Sequence, residues 1–284
     1  MGLAFAMMWS SAFTSARIIV DAATPITALS LRFLLSGLIA IAIAWALGQS
    51  WRLTATQWRA TIIFGICQNA LYLGLNFYAM QTVEASLAAI IASTMPLLVA
   101  LLGWLIFSER LRGLSALGLA LGFAGVAVIM GSRLQLSGDL DLTGVALCVV
   151  GAGALAFATL AVRGAISGGN MLMVVGLQML VGAAVLSVVA AATEVFIVDW
   201  SAQLIVAFAY TTLVPGLLAT LVWFWLVDRI GAVRAATFHF LNPFFGVAVA
   251  ALLLSERIGI YDIVGVAVIM LGILAVQRAK IQPR

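Results

Sequence analysis

Long apolar runs, separated by short polar or charged segments, divide the chain from end to end. A helix of about 20 mostly apolar residues spans the hydrocarbon core of a bilayer, and each run approaches that length. The pattern predicts ten transmembrane helices, at roughly 2–20, 27–47, 58–80, 84–107, 114–131, 142–163, 170–192, 202–227, 232–254 and 260–278. The first run continues past Trp9 towards Ile19, so we interpret it as a membrane helix rather than a cleaved signal peptide. The longest connection is predicted between Gly131 and Asp141, too short for a soluble domain.

The composition agrees with a polytopic membrane protein. Of the 284 residues, 65% are hydrophobic and 8% are charged, whereas about a quarter of a soluble domain is charged. The composition therefore excludes a soluble enzyme, a nucleic-acid-binding protein and a secreted disulfide scaffold. Cys67 and Cys148 lie inside apolar runs with no cysteine or histidine nearby in sequence, so we interpret them as small buried hydrophobic residues.

The basic residues are dispersed between the apolar runs, so the net charge of +4 indicates topology rather than nucleic-acid binding. With the N-terminus inside, ten basic residues are cytoplasmic: Arg52, Arg59, Arg110, Arg112, Arg163, Arg229, Arg234, Arg278, Lys280 and Arg284. Three lie outside, Arg17, Arg133 and Arg257, while Arg32 falls within the second span. The positive-inside rule then predicts that both termini are cytoplasmic.

The two halves of the sequence are related by a shift of 147 residues. This shift superimposes Pro96 on Pro243, Gly118 on Gly265, Gly125 on Gly272, and Ser108-Glu109-Arg110 on Ser255-Glu256-Arg257. We infer a duplication of a five-helix unit, with the first repeat at 1–131 and the second at 142–280. Because five is odd, the second unit enters the membrane from the opposite side. The predicted fold is an all-α membrane protein of ten helices in two inverted repeats around a central cavity, an arrangement typical of secondary transporters.

The sequence resembles the EamA-type carriers of the drug/metabolite transporter superfamily. The first helix has Trp9-Ser10-Ser11-Ala12-Phe13 followed by Arg17, and the fourth region has Ala85-Ser86-Leu87-Ala88-Ala89-Ile90, Pro96, Glu109-Arg110, Gly118 and Gly125. The chain is most similar to the YddG branch, which exports aromatic and other neutral amino acids. The resemblance implies a basket of ten helices, with helices 1, 3, 4, 6, 8 and 9 lining the cavity. The second half departs from the family pattern, because Gly151 to Phe157 contains no tryptophan equivalent to Trp9.

His239, the single histidine, is a candidate for a substrate-binding residue, because it is predicted near the middle of the ninth span. An ionisable residue within a membrane segment is by default a functional candidate. Asn242 lies three residues further on and shares its face. The alternative for Asn242 is a purely structural one, in which it compensates for the backbone hydrogen bond that Pro243 removes.

Asn69, Tyr72 and Asn76 form a polar stripe on the third span, which must face protein or water. They are either substrate-binding residues or helix–helix contacts. Tyr78 corresponds to Trp225 in the second half, so we expect both rings to approach the cavity. Small and aromatic residues on spans one and four supply two further candidates, Trp9 and Ser93, and packing is the alternative for their serine-rich faces.

Together with these features, the resemblance implies a secondary transporter that exports aromatic and other neutral amino acids across a bacterial inner membrane by alternating access. No Asp or Glu is predicted near the centre of a span, so we expect neither a carboxylate proton relay nor a cation site. A nucleotide-sugar or organic-cation carrier of the same fold is the alternative, although no basic cavity residue is evident. An intramembrane enzyme is less consistent with the sequence, which assembles no catalytic group. We expect no cofactor, no metal and no nucleic-acid partner, and a monomer in contact with the bilayer and its amino-acid substrate.

Overall fold

The computed structural model describes residues 1–106, 108, 113–137, 141–161, 170–230 and 237–281. Within these residues nine helical stretches are long and apolar enough to cross a membrane, and a shorter apolar helix, Phe238–Leu254, lies at the predicted ninth span. The predicted all-α fold with ten membrane helices is therefore confirmed. Residues 232–236, predicted as the start of the ninth span, lie outside the described residues.

Several of the ten spans are built from more than one helical segment. In the first half the elements are α1 Gly2–Ala22, α2 Pro25–Ala46, α3 Ala55–Phe64, the π-helix π1 Gly65–Leu73, α4 Gly74–Ala79, α5 Ala85–Ser93, α6 Met95–Leu105 and α7 Gly113–Ser137. In the second half they are α8 Leu142–Ala161, α9 Met171–Thr193, α10 Ala202–Leu213, the π-helix π2 Val214–Leu218, α11 Ala219–Ile230, a 3₁₀ helix Thr237–Leu241, α12 Asn242–Leu254 and α13 Ile260–Ile281.

One predicted boundary is wrong. The segment from Gly131 to Asp141 was expected to be a connection, but α7 continues to Ser137. Polar residues such as Arg133 and Gln135 end the apolar run without ending the helix, because arginine and glutamine are good helix formers. A helix can extend beyond the hydrocarbon core, where hydropathy no longer reports it.

The two halves are inverted relative to one another, as the packing of α7 against α13 shows. A methyl group on Gly118 would lie 2.7 Å from the Gly272 carbonyl oxygen, and one on Gly125 would lie 2.7 Å from that of Gly265. The helices are therefore antiparallel and cross at glycines that let their backbones touch. Since α7 and α13 are equivalent helices, antiparallel packing means that the two halves run through the membrane in opposite directions.

Three backbone irregularities recur at equivalent positions in the two halves. The third span of each half contains a π-helix, and π2 corresponds to residues 67–71 of π1 at the shift of 147. The fourth span of each half is interrupted just before a proline, Pro96 or Pro243. Each fourth span is followed by a serine in the left-handed conformation, Ser108 with φ 52° and Ser255 with φ 55°.

The faces of α2 separate lipid-facing from buried residues. Leucines on one side are exposed (Leu31, Leu34, Leu35 and Leu38), whereas Ser30, Arg32, Ser36 and Gly37 are buried on the other. Ser30 donates to the Ala183 carbonyl of α9 at 3.1 Å, and Ser36 donates to the Thr212 carbonyl of α10 at 3.4 Å. The buried face therefore packs against the second half and carries Arg32 into the protein interior.

Candidate functional site

A cavity lies between the two halves, where the first, third, fourth, sixth and ninth spans meet. It is lined by Trp9, Ser10, Phe13, Tyr72, Ala89, Ala92, Ser93, Met95, Pro96, Leu155, His239 and Asn242. We call it the central cavity. Its volume of about 40 Å³ accommodates a few water molecules, so a metabolite enters only when the helices separate. Five of the eight residues predicted from the sequence line it, namely Trp9, Tyr72, Ser93, His239 and Asn242.

The central cavity lies on the pseudo-two-fold axis, because three pairs of equivalent residues line it together. These pairs are Trp9 with Leu155 at a shift of 146, and Ala92 with His239 and Met95 with Asn242 at a shift of 147. Each pair joins an apolar residue to a polar or amphipathic one. The cavity is thus symmetric in position and asymmetric in chemistry.

His239 is held by one hydrogen bond and three aromatic rings. The Asn242 side-chain amide donates to Nδ1 of His239 at 3.0 Å, so Nδ1 is the acceptor and Nε2 carries the proton of the neutral ring. The ring centroids of Trp223, Phe5 and Trp9 lie 5.1, 5.2 and 6.3 Å from that of His239. The pairing of Asn242 with the imidazole differs from the purely structural alternative, in which Asn242 would bond to the backbone that Pro243 leaves unpaired.

A second cavity adjoins the central one, and we call it the Arg32 cavity. It is lined by Trp9, Ala12, Phe13, Ala16, Arg32, Gln68, Tyr72, Leu73, Asn76, Phe77, Met80 and Pro215. Its volume is about 50 Å³. Trp9, Phe13 and Tyr72 line both cavities, so they form the partition between them. Gln68 of π1 and Pro215 of π2 are equivalent residues of the two halves, which places the π-helices on either side of this cavity.

Buried polar atoms without a hydrogen-bond partner occur in both cavities. In the central cavity these are Oγ of Ser10 and Oδ1 of Asn242, and in the Arg32 cavity they are Nε of Arg32 and Oδ1 of Asn76. Buried polar groups are nearly always paired, and each exception requires an explanation. All four atoms belong to residues that line the two adjoining cavities, so they are candidate groups for binding a polar ligand.

Arg32 is the residue that the sequence interpretation missed. The sequence places it within the second span, on neither side of the charge comparison, and suggests no basic cavity residue. Arg32 is 5% exposed and lines the cavity that bears its name. The rule that singled out His239, that an ionisable residue within a span is a functional candidate, applies equally to Arg32 and would have identified it.

Two other candidate residues of the polar stripe have different environments. Asn69 lies outside the lining of both cavities, and its amide donates to the Gln178 carbonyl of α9 at 2.8 Å. Asn69 therefore makes the helix–helix contact that was its alternative. Asn76 donates to the Tyr72 carbonyl within its own helix at 2.7 Å, and its Oδ1 faces the Arg32 cavity.

The expectation that Tyr78 and Trp225 approach the cavity is corrected by the structure. Tyr78 is 53% exposed and Trp225 is 58% exposed, and neither lines the central or the Arg32 cavity. The reason is helical geometry, since Tyr78 follows the inward-facing Asn76 by two residues, a rotation of about 200°. The sequence correspondence between the two rings holds, but both lie on the outer surface.

At one end of the protein, hydrogen bonds cross between the two halves and hold them together. The Glu256 carboxylate accepts the first backbone N–H groups of α5, from Ala85 at 2.8 Å and Ser86 at 3.0 Å. The Glu194 carboxylate accepts the N–H groups of Ile26 and Thr27 at the start of α2, at 2.9 and 2.8 Å. An anion at a helix N-terminus satisfies otherwise unpaired donors and opposes the positive end of the helix dipole. We call this end of the protein the closed end.

The loops at the closed end strengthen the same contact. Ala23 and Val198 form an antiparallel bridge, flanked by hydrogen bonds from Thr24 N–H to the Ile197 carbonyl and from Asp199 N–H to that of Ala22. The Thr82 hydroxyl also donates to the Asp141 carboxylate at 2.6 Å. This bond, with backbone N–H groups at the start of α8, lowers the pKa of Asp141 below its usual value. Asp141 is therefore ionised, and the contact intact, throughout the neutral range.

Comparison with known proteins identifies relatives over nearly the whole chain. The sequence model of the EamA-like transporter family matches twice, at residues 1–131 and 142–277. The chain is 27% identical to the uncharacterized transporter YvbV of Bacillus subtilis, covering 97% of this chain and 90% of that protein. It is 25% identical to the uncharacterized inner membrane transporter YedA of Escherichia coli, covering 98% and 90%. A solved crystal structure with 19% identity aligns with a TM-score of 0.69 over 99% of this chain and 97% of that one, which shows the shared fold.

Proposed function

Because the chain belongs to the EamA-like transporter family, we propose that it is a secondary transporter that exports aromatic and other neutral amino acids across a bacterial inner membrane. Transport itself follows from the family. We propose in addition the substrate, the direction of transport and the likeness to YddG exporters. We propose the orientation with both termini in the cytoplasm, which rests on the distribution of basic residues.

The observation that carries the proposal is the position of the central cavity on the axis between two inverted halves. Two related halves can exchange conformations, so that a cavity open to one side becomes a cavity open to the other. The closed end would be one of the two barriers that such a cycle alternately opens. The binding site would then remain near the axis while the barriers change.

The chemistry of the central cavity suits an amphipathic metabolite. His239 offers the Nε2 proton, and Asn242 and Ser10 offer oxygen atoms that have no partner. The rings of Trp9, Phe13 and Tyr72 form an apolar wall that can contact substrate side chains of different shapes. Hydrogen-bonding groups beside flat aromatic walls favour small molecules with a polar head and a variable apolar side chain, as neutral amino acids have.

The alternatives differ in the charged groups that they require. An organic-cation carrier would need an acidic residue at the site, and the described residues that line the two cavities include no Asp or Glu. A nucleotide-sugar carrier would need a cluster of basic residues to hold two phosphate groups, whereas Arg32 is the one basic residue among those lining the two cavities apart from His239. For an intramembrane enzyme, these lining residues include no nucleophile paired with a base.

Counterflow in proteoliposomes tests the proposal directly. Vesicles loaded with unlabelled phenylalanine should accumulate external labelled phenylalanine, with no ion gradient imposed, and protein-free vesicles should not. We expect facilitated exchange because no carboxylate is among the described residues that line the cavities, and His239 is the candidate proton carrier among them. Absence of exchange for every amino acid in a panel would refute the substrate class, and strict dependence on a pH or sodium gradient would refute simple facilitation. Loss of total substrate would indicate an enzyme.

A further inference from the structure

Arg32 is a buried cation that no carboxylate of the described residues compensates. Its Nε has no hydrogen-bond partner, and the structure shows no ion pair between Arg32 and a described carboxylate. The Phe33 ring offsets part of the charge, with its centroid 5.2 Å from Cζ of Arg32. Removing a charge from water without a partner is costly, and a cation–π contact recovers only a small part of that cost. A partner that is bound for part of the transport cycle would explain the retention of this charge.

The surroundings of Arg32 direct its charge to the cavity. It lies on the same face of α2 as Ser36, four residues on, and this face packs against π2. A methyl group on Gly216 of π2 would lie 3.4 Å from Oγ of Ser36 and 3.7 Å from Nη2 of Arg32. The guanidinium therefore lies against π2, and Arg32 is also one of the residues that line the Arg32 cavity.

The same cavity contains an acceptor that lacks a donor. Oδ1 of Asn76 is buried and unpartnered, and the Asn76 amide group is fixed by its bond to the Tyr72 carbonyl. A guanidinium presents N–H donors in a fork that matches the two oxygen atoms of a carboxylate. An ammonium group would satisfy Asn76 Oδ1 in turn. A carboxylate and an ammonium group on one small molecule are together the head group of a zwitterionic amino acid.

We propose that the Arg32 cavity is a subsite for the substrate head group, in which Arg32 binds the carboxylate and Asn76 Oδ1 accepts from the ammonium group. The proposal rests on the proposed function, because it takes the substrate to be an amino acid. From this subsite the side chain of the substrate contacts Trp9, Phe13 and Tyr72, the partition shared with the central cavity. The substrate thus passes two polar subsites, one on each side of an aromatic partition.

Ligand-dependent thermal stabilisation of the purified protein in detergent tests the subsite with three probes. These are L-phenylalanine, L-phenylalaninamide, which lacks the carboxylate, and 3-phenylpropionate, which lacks the ammonium group. The wild-type protein should bind phenylalanine at least tenfold more tightly than the amide, the ratio that corresponds to about 1.4 kcal/mol. In R32Q this ratio should fall to about one. The charge-matched control R52Q, at an exposed arginine outside the spans, should keep the wild-type ratio.

A second variant, R32M, distinguishes substrate binding by Arg32 from a purely structural role of this residue. R32M should unfold, without ligand, at the same temperature as the wild-type protein or higher, since replacing an unpaired buried cation by an apolar chain of similar length removes a desolvation penalty. A fall of several degrees in R32M would show that Arg32 stabilises the helix packing and would overturn the proposal. Retention of the tenfold preference for phenylalanine in folded R32Q would overturn it as well.

The outcomes distinguish this proposal from the proposed function. If the wild-type protein exchanges phenylalanine in vesicles but binds the amide equally well, the head-group subsite is refuted and amino-acid transport stands. If it binds 3-phenylpropionate in an Arg32-dependent manner but exchanges no amino acid, carboxylate binding by Arg32 is supported and amino-acid transport is refuted.

Discussion

Replacing Glu256 by glutamine should open the closed end. In the structure both carboxylate oxygen atoms accept backbone N–H groups at the start of α5, from Ala85 at 2.8 Å and Ser86 at 3.0 Å. Glutamine keeps one carbonyl acceptor but turns an NH₂ donor towards the other N–H group, so one of the two bonds and the negative charge are lost. A hydrogen bond to a charged group contributes about 1.5–3 kcal/mol, and solvent at this half-exposed site reduces it to the lower part of that range. A loss of about 1.5 kcal/mol shifts the equilibrium between closed and open roughly tenfold.

The shift can be measured as the accessibility of a cysteine in the Arg32 cavity. In a background with Cys67 and Cys148 replaced by alanine, Ala16→Cys lines this cavity and should react with an aqueous thiol reagent about ten times faster when Glu256→Gln is also present. Asp199→Asn is the matched control, because Asp199 carries the same charge at the same end and only its backbone bonds to the first half. Equal labelling rates with and without Glu256→Gln, in protein that is equally folded, would refute the idea that this carboxylate holds the end closed.

Three further predictions concern the site, the repeat interface and the topology. His239→Ala removes the bond to Asn242 and a contact worth about 1 kcal/mol, so transport per folded molecule should fall roughly fivefold, whereas lower thermal stability with unchanged specific transport would assign His239 to helix packing. Gly118→Val should destabilise the protein by about 1–3 kcal/mol in thermal unfolding, because its side chain would meet the α13 backbone, while Gly153→Ala, which has open space around it, should not. A cysteine in the connection at residues 110–112 should be blocked by reagents applied from the cytoplasm and one beside Glu256 by reagents applied from outside. Labelling of both from the same side would contradict the inverted topology.

Hydropathy and residue spacing predicted the parts of the fold that depend on composition alone. The length of each apolar run determines a membrane span, and the shared spacing of Pro96, Gly118 and Gly125 with their counterparts identifies the inverted halves. The face shared by His239 and Asn242 was predictable for the same reason, since three residues separate neighbours on a helix. Each of these features arises within one helix or from a comparison of the two halves of the sequence.

The features that could not be predicted depend on how helices pack against each other. Nothing in the residues of π1 distinguishes its hydrogen-bond pattern from that of an α-helix, so the rotation that it adds to the third span is not visible in the sequence. Arg32 was visible as a charge in an apolar run, but its orientation towards a cavity rather than towards the end of the span depends on the contact of α2 with π2.

The crossing of α7 and α13 has a consequence for the origin of the chain. Gly118 meets Gly272 while Gly125 meets Gly265, so the same surface is used on both sides, which is the definition of an isologous contact. Two separate copies of a five-helix ancestor, inserted in opposite directions, would form this contact in the same way. Fusion keeps the two copies permanently close to one another. Fusion also allowed the copies to diverge. At a shift of 146, Gln178 occupies the position that corresponds to Arg32, whereas a pair of identical chains would have carried either two arginines or none. An arginine at this position in one half alone is therefore a property that a pair of identical chains could not have.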